Sequence, residues 1–79
     1  MTITVRYFAQ LRESVGASAE ELTTTAATAH QLWIELVAMH GFSLAQNVVK
    51  VAVNDHYRSW DFPLSDGVTV VFIPPVAGG

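Results

Sequence analysis

Six consecutive residues, Val68, Thr69, Val70, Val71, Phe72 and Ile73, are apolar at every position but one and run directly into Pro74 and Pro75. A strand without a polar face belongs in the middle of a sheet, covered on both sides. Proline fixes φ and removes a backbone donor, so the strand cannot continue through the pair. Proline also drives the preceding residue toward extended geometry, which keeps Ile73 and Pro74 extended. A polyproline-type segment is stiff and projects the chain away from the body. Beyond it, Val76, Ala77, Gly78 and Gly79 carry only small side chains. Without Cβ atoms, Gly78 and Gly79 can enter a slot too narrow for other residues. The expected design is a domain over residues 1–73 that holds out an extended tail, residues 74–79. A merely frayed end is the alternative, but fraying does not account for two prolines between a buried strand and its tip.

The rest of the chain supplies the sheet around that strand. Residues 2–8 alternate, with Ile3, Val5 and Tyr7 on one face and Thr2, Thr4 and Arg6 on the other, the pattern of a half-buried strand. Phe8 breaks the alternation and points outward. Residues 9–15 read as a short helical turn closed by Gly16, and residues 20–25 as a second strand. The clearest element is a helix over residues 28–40. Thr28 is its N-cap, and Gln31 three residues later completes a capping-box pattern. Ala29, Leu32, Trp33, Leu36, Val37 and His40 form one apolar stripe. Gly41 closes the helix, with Phe42 placed to cover Val37. A strand over residues 48–53, with Lys50 at an edge or solvent-facing position, is followed by an Asn54-Asp55 turn. A short return strand over 56–60 and a turn over 63–67 complete the order. The class is α+β: a mixed sheet with one main helix packed on one face.

Composition narrows the function. The 79 residues make one small domain, and 51% are hydrophobic. A domain of this size buries only roughly 60% of its unfolded surface, and the absence of cysteine removes disulfides and thiolate metal sites. A docked partner is then a natural stabiliser. The net charge of −3 argues against nucleic acid. No stretch is long enough to span a membrane, the first residues lack the regions of a signal peptide, and the cytoplasm is the expected location. His30, His40 and His56 have no metal-ligand spacing; His30 reads as exposed and His40 as facing the helix C-terminal carbonyls. The serines lie in no nucleophile elbow. Glu13, Glu20, Glu21 and Glu35 read as solvated charges, and Asp55, Asp61 and Asp66 as turn formers. No side-chain constellation carries chemistry. What remains is the carboxylate of Gly79, an anion at neutral pH and a weak electrophile. It enters acyl chemistry only if activated, for instance as an acyl adenylate, and a second protein must supply ATP and the catalytic groups.

The stretch Tyr7-Phe8-Ala9-Gln10-Leu11-Arg12-Glu13-Ser14-Val15-Gly16, the pair Val53-Asn54, the turn Pro63-Leu64-Ser65-Asp66-Gly67 and the end Phe72-Ile73-Pro74-Pro75-Val76-Ala77-Gly78-Gly79 together resemble the family of molybdopterin synthase small subunits. The likeness covers the whole chain in order and length. The paired prolines before Val-Ala-Gly-Gly are its most specific part, because a bare Gly-Gly end is common to sulfur carriers and ubiquitin-like modifiers.

The resemblance implies a β-grasp fold and a mechanism. An activating enzyme using ATP and Mg adenylates Gly79, and a sulfur donor protein converts the adenylate to a thiocarboxylate. The large synthase subunit then takes up the tail and uses the sulfur to build the dithiolene of molybdopterin from cyclic pyranopterin monophosphate. Two small and two large subunits assemble, and the small subunit binds no cofactor or metal itself. The resemblance also implies that Phe8, Arg12, Tyr57 and Ile73, with the tail residues Pro74, Pro75, Val76, Ala77 and Gly78, contact these partners. Ordinary packing is the competing account for Phe8 and Ile73. Ile73 stands where an aromatic is common, and residues 23–29 are unusually poor in charge. Three other functions compete: a sulfur carrier for thiamine or tRNA thiolation, a ubiquitin-like modifier joined to lysines, and a plain binding module.

Overall fold

The computed structural model describes residues 1–75. The alternating N-terminal residues form β1, Thr2–Tyr7, with Ile3, Val5 and Tyr7 buried. Next come α1, Ala9–Val15, and β2, Ala19–Thr23; then α2, Ala29–His40, a 3₁₀ turn at Gln46–Val48, and β3, Lys50–Val53. Finally β4, His56–Arg58, precedes β5, Thr69–Ile73. The five strands lie in the order β2-β1-β5-β3-β4. β5 is parallel to β1 and antiparallel to β3; the remaining pairings are antiparallel. This is the mixed sheet and the β-grasp arrangement expected from the sequence, with the most apolar strand at its centre.

Helix α2 is held at both ends by the devices its sequence announces. Thr28 Oγ1 accepts from the Gln31 N–H at 3.2 Å. The reciprocal half of the capping box is displaced by one residue, since Gln31 Oε1 accepts from the Ala27 N–H at 2.8 Å. The Ala29 and His30 N–H groups donate to the carbonyls of Phe62 (3.2 Å) and Trp60 (2.8 Å). The first-turn donors that a helix leaves orphaned are thereby used to anchor the loop after β4. At the other end Gly41, at φ 72°, donates to the Val37 carbonyl.

The apolar stripe of α2 packs on one face of the sheet. Ala29, Leu32, Trp33 and Leu36 are buried there with Ile3, Val5, Tyr7, Val51, Val53, Val70 and Phe72. Trp33 sits at the middle of an aromatic cluster, 5.4 Å from Phe42, 5.2 Å from Phe72 and 5.9 Å from Trp60 between ring centroids. Phe42 is thus stacked on Trp33.

Several expectations are corrected. The third strand begins at Lys50, because the N–H groups of Val48 and Val49 are committed to the Ala45 and Gln46 carbonyls of the 3₁₀ turn. Lys50 is solvent-facing on an interior strand, since β3 lies between β5 and β4. The return strand stops at Arg58 because Trp60 gives its carbonyl to α2. The second strand ends at Thr23, and Thr24 turns inward to donate to Glu35 Oε2 at 2.7 Å. Glu20 is also engaged: it accepts from the Tyr7 hydroxyl at 2.9 Å and lies 3.1 Å from His40 Nε2. His40 therefore pairs with Glu20 across to β2 and leaves the helix carbonyls alone. Pro74 is buried and Pro75 exposed. The most consequential correction concerns β5. Val70 and Phe72 are fully buried, but Thr69, Val71 and Ile73 on its other face are only half-buried. One helix layer covers one face, and among the described residues no second layer covers the other.

Burial, and then the hydrogen bond to Glu20 and its negative charge, push the Tyr7 phenol well above its ordinary value. The unfolded chain loses that proton near pH ~10 while the folded chain retains it, so stability is intact below that pH and falls as pH rises beyond it. Urea unfolding followed from about pH 8 to about pH 11 is expected to show this loss, and Tyr7→Phe, with no phenol to ionise, is expected to show a shallower one.

Candidate functional site

The uncovered face of the sheet is built by strand register. Arg6 is opposite Val71, Val71 opposite Ala52, and Ala52 opposite Tyr57, which makes one row across β1, β5, β3 and β4. In the next row Ile73 is opposite Lys50. Side chains alternate across a strand, so every member of these rows points away from α2. Tyr57 is 72% exposed and Phe8 44% exposed. Arg6, Phe8, Ala52, Asp55, Tyr57, Val71 and their neighbours surround a depression of about 300 Å³ on this face.

A second depression, of about 560 Å³, lies between α1 and the end of β5 and is lined by Phe8, Ala9, Gln10, Glu13, Ile73, Pro74 and Pro75. Phe8 and Ile73 belong to both depressions, so one apolar surface runs from the middle of the sheet to the start of the tail. Two backbone features shape it. The β3–β4 hairpin turns on Asn54 and Asp55, both at positive φ (49° and 71°), the signature of the turn that matches strand twist. The Asn54 side chain also accepts from the Thr69 N–H at 2.9 Å, which ties the hairpin beside Tyr57 to β5. Ala9 also has a positive φ, 49°, a conformation that costs a residue bearing a Cβ roughly 1–2 kcal/mol. This turn lets α1 begin directly after β1 and leaves Phe8, extended at φ −125°, outside the core.

Of the residues expected to meet partners, the fold brings together Phe8, Tyr57, Ile73, Pro74 and Pro75 around this surface. Arg12 is exposed in the last turn of α1 and lines neither depression. Val76, Ala77, Gly78 and Gly79 lie outside the described residues. Sequence reasoning missed Val71, Ala52 and Arg6. Val71 was hidden by the assumption that β5 is sandwiched, and the alternation of β1 already placed Arg6 on the solvent side.

Asp66 accepts from the Thr2 N–H at 2.7 Å, and Asp61 accepts from the Ser59 hydroxyl, so both serve turns. Among the described residues no group of three or more His, Asp or Glu side chains is placed to hold a metal ion, and no helix is long and apolar enough to cross a membrane.

Comparison with known proteins adds three relatives. The family model described as "ThiS family" matches residues 5–79. The molybdopterin synthase sulfur carrier subunit of Escherichia coli is 39% identical over 80 residues, spanning 98% of this chain and 99% of that one. A chain in the protein–protein complex of subunits 1 and 2 of the molybdopterin-converting factor from Helicobacter pylori superposes with a TM-score of 0.69 at 28% identity, covering 100% of both chains. SAMP1 from Haloferax volcanii superposes at 0.84 over 100% of both chains with 21% identity, a likeness of fold.

The two faces of the sheet predict opposite outcomes on truncation. Phe72→Ala is expected to destabilise the domain by about 3–5 kcal/mol through the cavity it leaves. Tyr57→Ala is expected to stay within about 0.5 kcal/mol of the parent. Denaturant titration of the two variants checks both.

Proposed function

This chain belongs to the ThiS family, and from that premise we propose that it is the sulfur carrier subunit of a molybdopterin synthase, with Gly79 as the residue that carries the sulfur. The observation that carries the reading is the continuous apolar surface that starts on the open sheet face and ends at Pro74 and Pro75. It is a docking surface placed at the root of the tail. The 39% identity to the Escherichia coli carrier subunit over nearly the full length of both chains supports the choice of pathway.

The division of labour follows from charge. A carboxylate repels nucleophiles, so an activating enzyme with ATP and Mg first makes the Gly79 acyl adenylate, expelling pyrophosphate. Sulfur delivered by a donor protein at the sulfide level then attacks the acyl carbon, displaces AMP and leaves a thiocarboxylate. The large synthase subunit receives the tail and transfers the sulfur to cyclic pyranopterin monophosphate, building the dithiolene. Residues 74–79 fully extended reach at most about 20 Å, so the domain stays at the mouth of each cavity while its last carbonyl enters. Phe8, Tyr57 and Ile73 press the domain against that mouth, Arg12 supplies a charge at the flank, and Val76, Ala77 and Gly78 thread the channel. Two small and two large subunits form the assembly, in the cytoplasm.

Deletion of Gly79 is expected to abolish molybdopterin formation in a reconstituted synthase while the unfolding curve matches that of the parent. Retained product formation would sink the carrier reading. Intact mass measurement of protein taken from cells adds a second check: oxygen-for-sulfur exchange at the terminus is expected, and branched conjugates in its place would mark a modifier.

A further inference from the structure

Adjoining the apolar surface, and sharing Tyr57 with it, is a groove of about 640 Å³ lined by Asn47, Lys50, Tyr57, Arg58 and Trp60, with Val51 among its buried neighbours. The chain has only four lysines and arginines and a net charge of −3, yet two of those four cations line this one groove, and no acidic side chain does. The single salt bridge among the described residues is His40–Glu20, so neither cation is neutralised there. Arg58 is also held in place: its guanidinium carbon lies 4.6 Å from the centre of the Phe62 ring. A fixed guanidinium fork loses less entropy when it meets a carboxylate.

The groove's position argues for what fills it. Lys50 is opposite Ile73, and Arg58 is opposite Val51, which is itself opposite Phe72. Lys50 therefore lies one strand, and Arg58 two strands, from the end of β5, the first on the open face with Ile73 and the second on the helix face with Val51 and Phe72, so the groove wraps the sheet edge between them. A small anion at the tail tip is separated from them by up to about 20 Å of extended chain. Whatever meets the groove while the tip is engaged is the rim of the cavity that holds the tail. We propose that this groove is a charge-reading dock for an acidic segment at the mouth of the large synthase subunit, whose carboxylates pair with Lys50 and Arg58 and whose apolar side chain rests between Tyr57 and Trp60. The inference rests on the sulfur-carrier reading and adds to it a specificity element at the margin of the apolar face. Rim charges of this kind steer encounter and reject wrong partners.

The test is isothermal titration of the full-length carrier into the large subunit at low and high salt, with K50E/R58E and K50A/R58A beside the parent. Both residues are exposed, and melting curves confirm that the variants fold. The parent's affinity is expected to fall as salt rises. At low salt K50E/R58E is expected to bind at least about tenfold more weakly, with K50A/R58A between the two and a flatter salt dependence in both. In the synthase assay the loss is expected in KM for the carrier rather than in kcat. Parent-like affinity and salt dependence in K50E/R58E would overturn the proposal while Gly79 deletion still tested the carrier reading independently. Titration with inorganic phosphate and with ATP alone covers the other occupant: saturable shifts of the Arg58 and Trp60 resonances, with docking untouched by the substitutions, would make the groove a small-anion site and overturn the proposal as well.

Discussion

The structure depends on the contact between one helix and one face of β5. Trp33 from α2 meets Phe72 from β5 at 5.2 Å between ring centroids, and Trp60 stacks on the same Phe72 ring. These three side chains join the helix, the central strand and the loop after β4. Large aromatic surfaces contribute most of the burial available to so small a core. The backbone repeats the connection, because the carbonyls of Trp60 and Phe62 accept the first free donors of α2. Packing and hydrogen bonding thus fix the same junction.

With that face sealed, the opposite face stays uncovered among the described residues. The alternation of β5 puts Phe72 inside and Val71 and Ile73 outside. An apolar side chain on an uncovered sheet is a cost to solubility unless a partner covers it. The flanking residues restrain that cost: Arg6 and Lys50 stand in the same rows as Val71 and Ile73. The face is apolar at its centre and carries charge of both signs at its margin, with Asp55 beside Arg6.

Much of this was legible in the sequence, for identifiable reasons. Helix α2 was readable from its stripe, its Thr28 cap and its closing Gly41, because a helix writes its boundaries locally. The centrality of β5 followed from its composition. The error was to infer two covers from that composition: a run of apolar residues records that both faces avoid water in the working state, and a partner chain can provide one of the covers. His40 and Glu20 were misassigned because their pairing joins α2 to β2, residues 20 positions apart in the chain, and no local pattern encodes it. The 3₁₀ turn before β3 was hidden by two valines, which favour strands but here lost their donors to the carbonyls behind them. The strained Ala9 left no mark at all, since neither glycine nor asparagine stands there to signal a positive φ.

The sheet order has a consequence for synthesis. β5 is the last strand to be made and the one to which both β1 and β3 bind. Until it emerges, β1 with β2 and β3 with β4 are two unconnected ribbons, and two-stranded ribbons are marginal on their own. The two ribbons are joined into one sheet only by the segment immediately before Pro74 and Pro75.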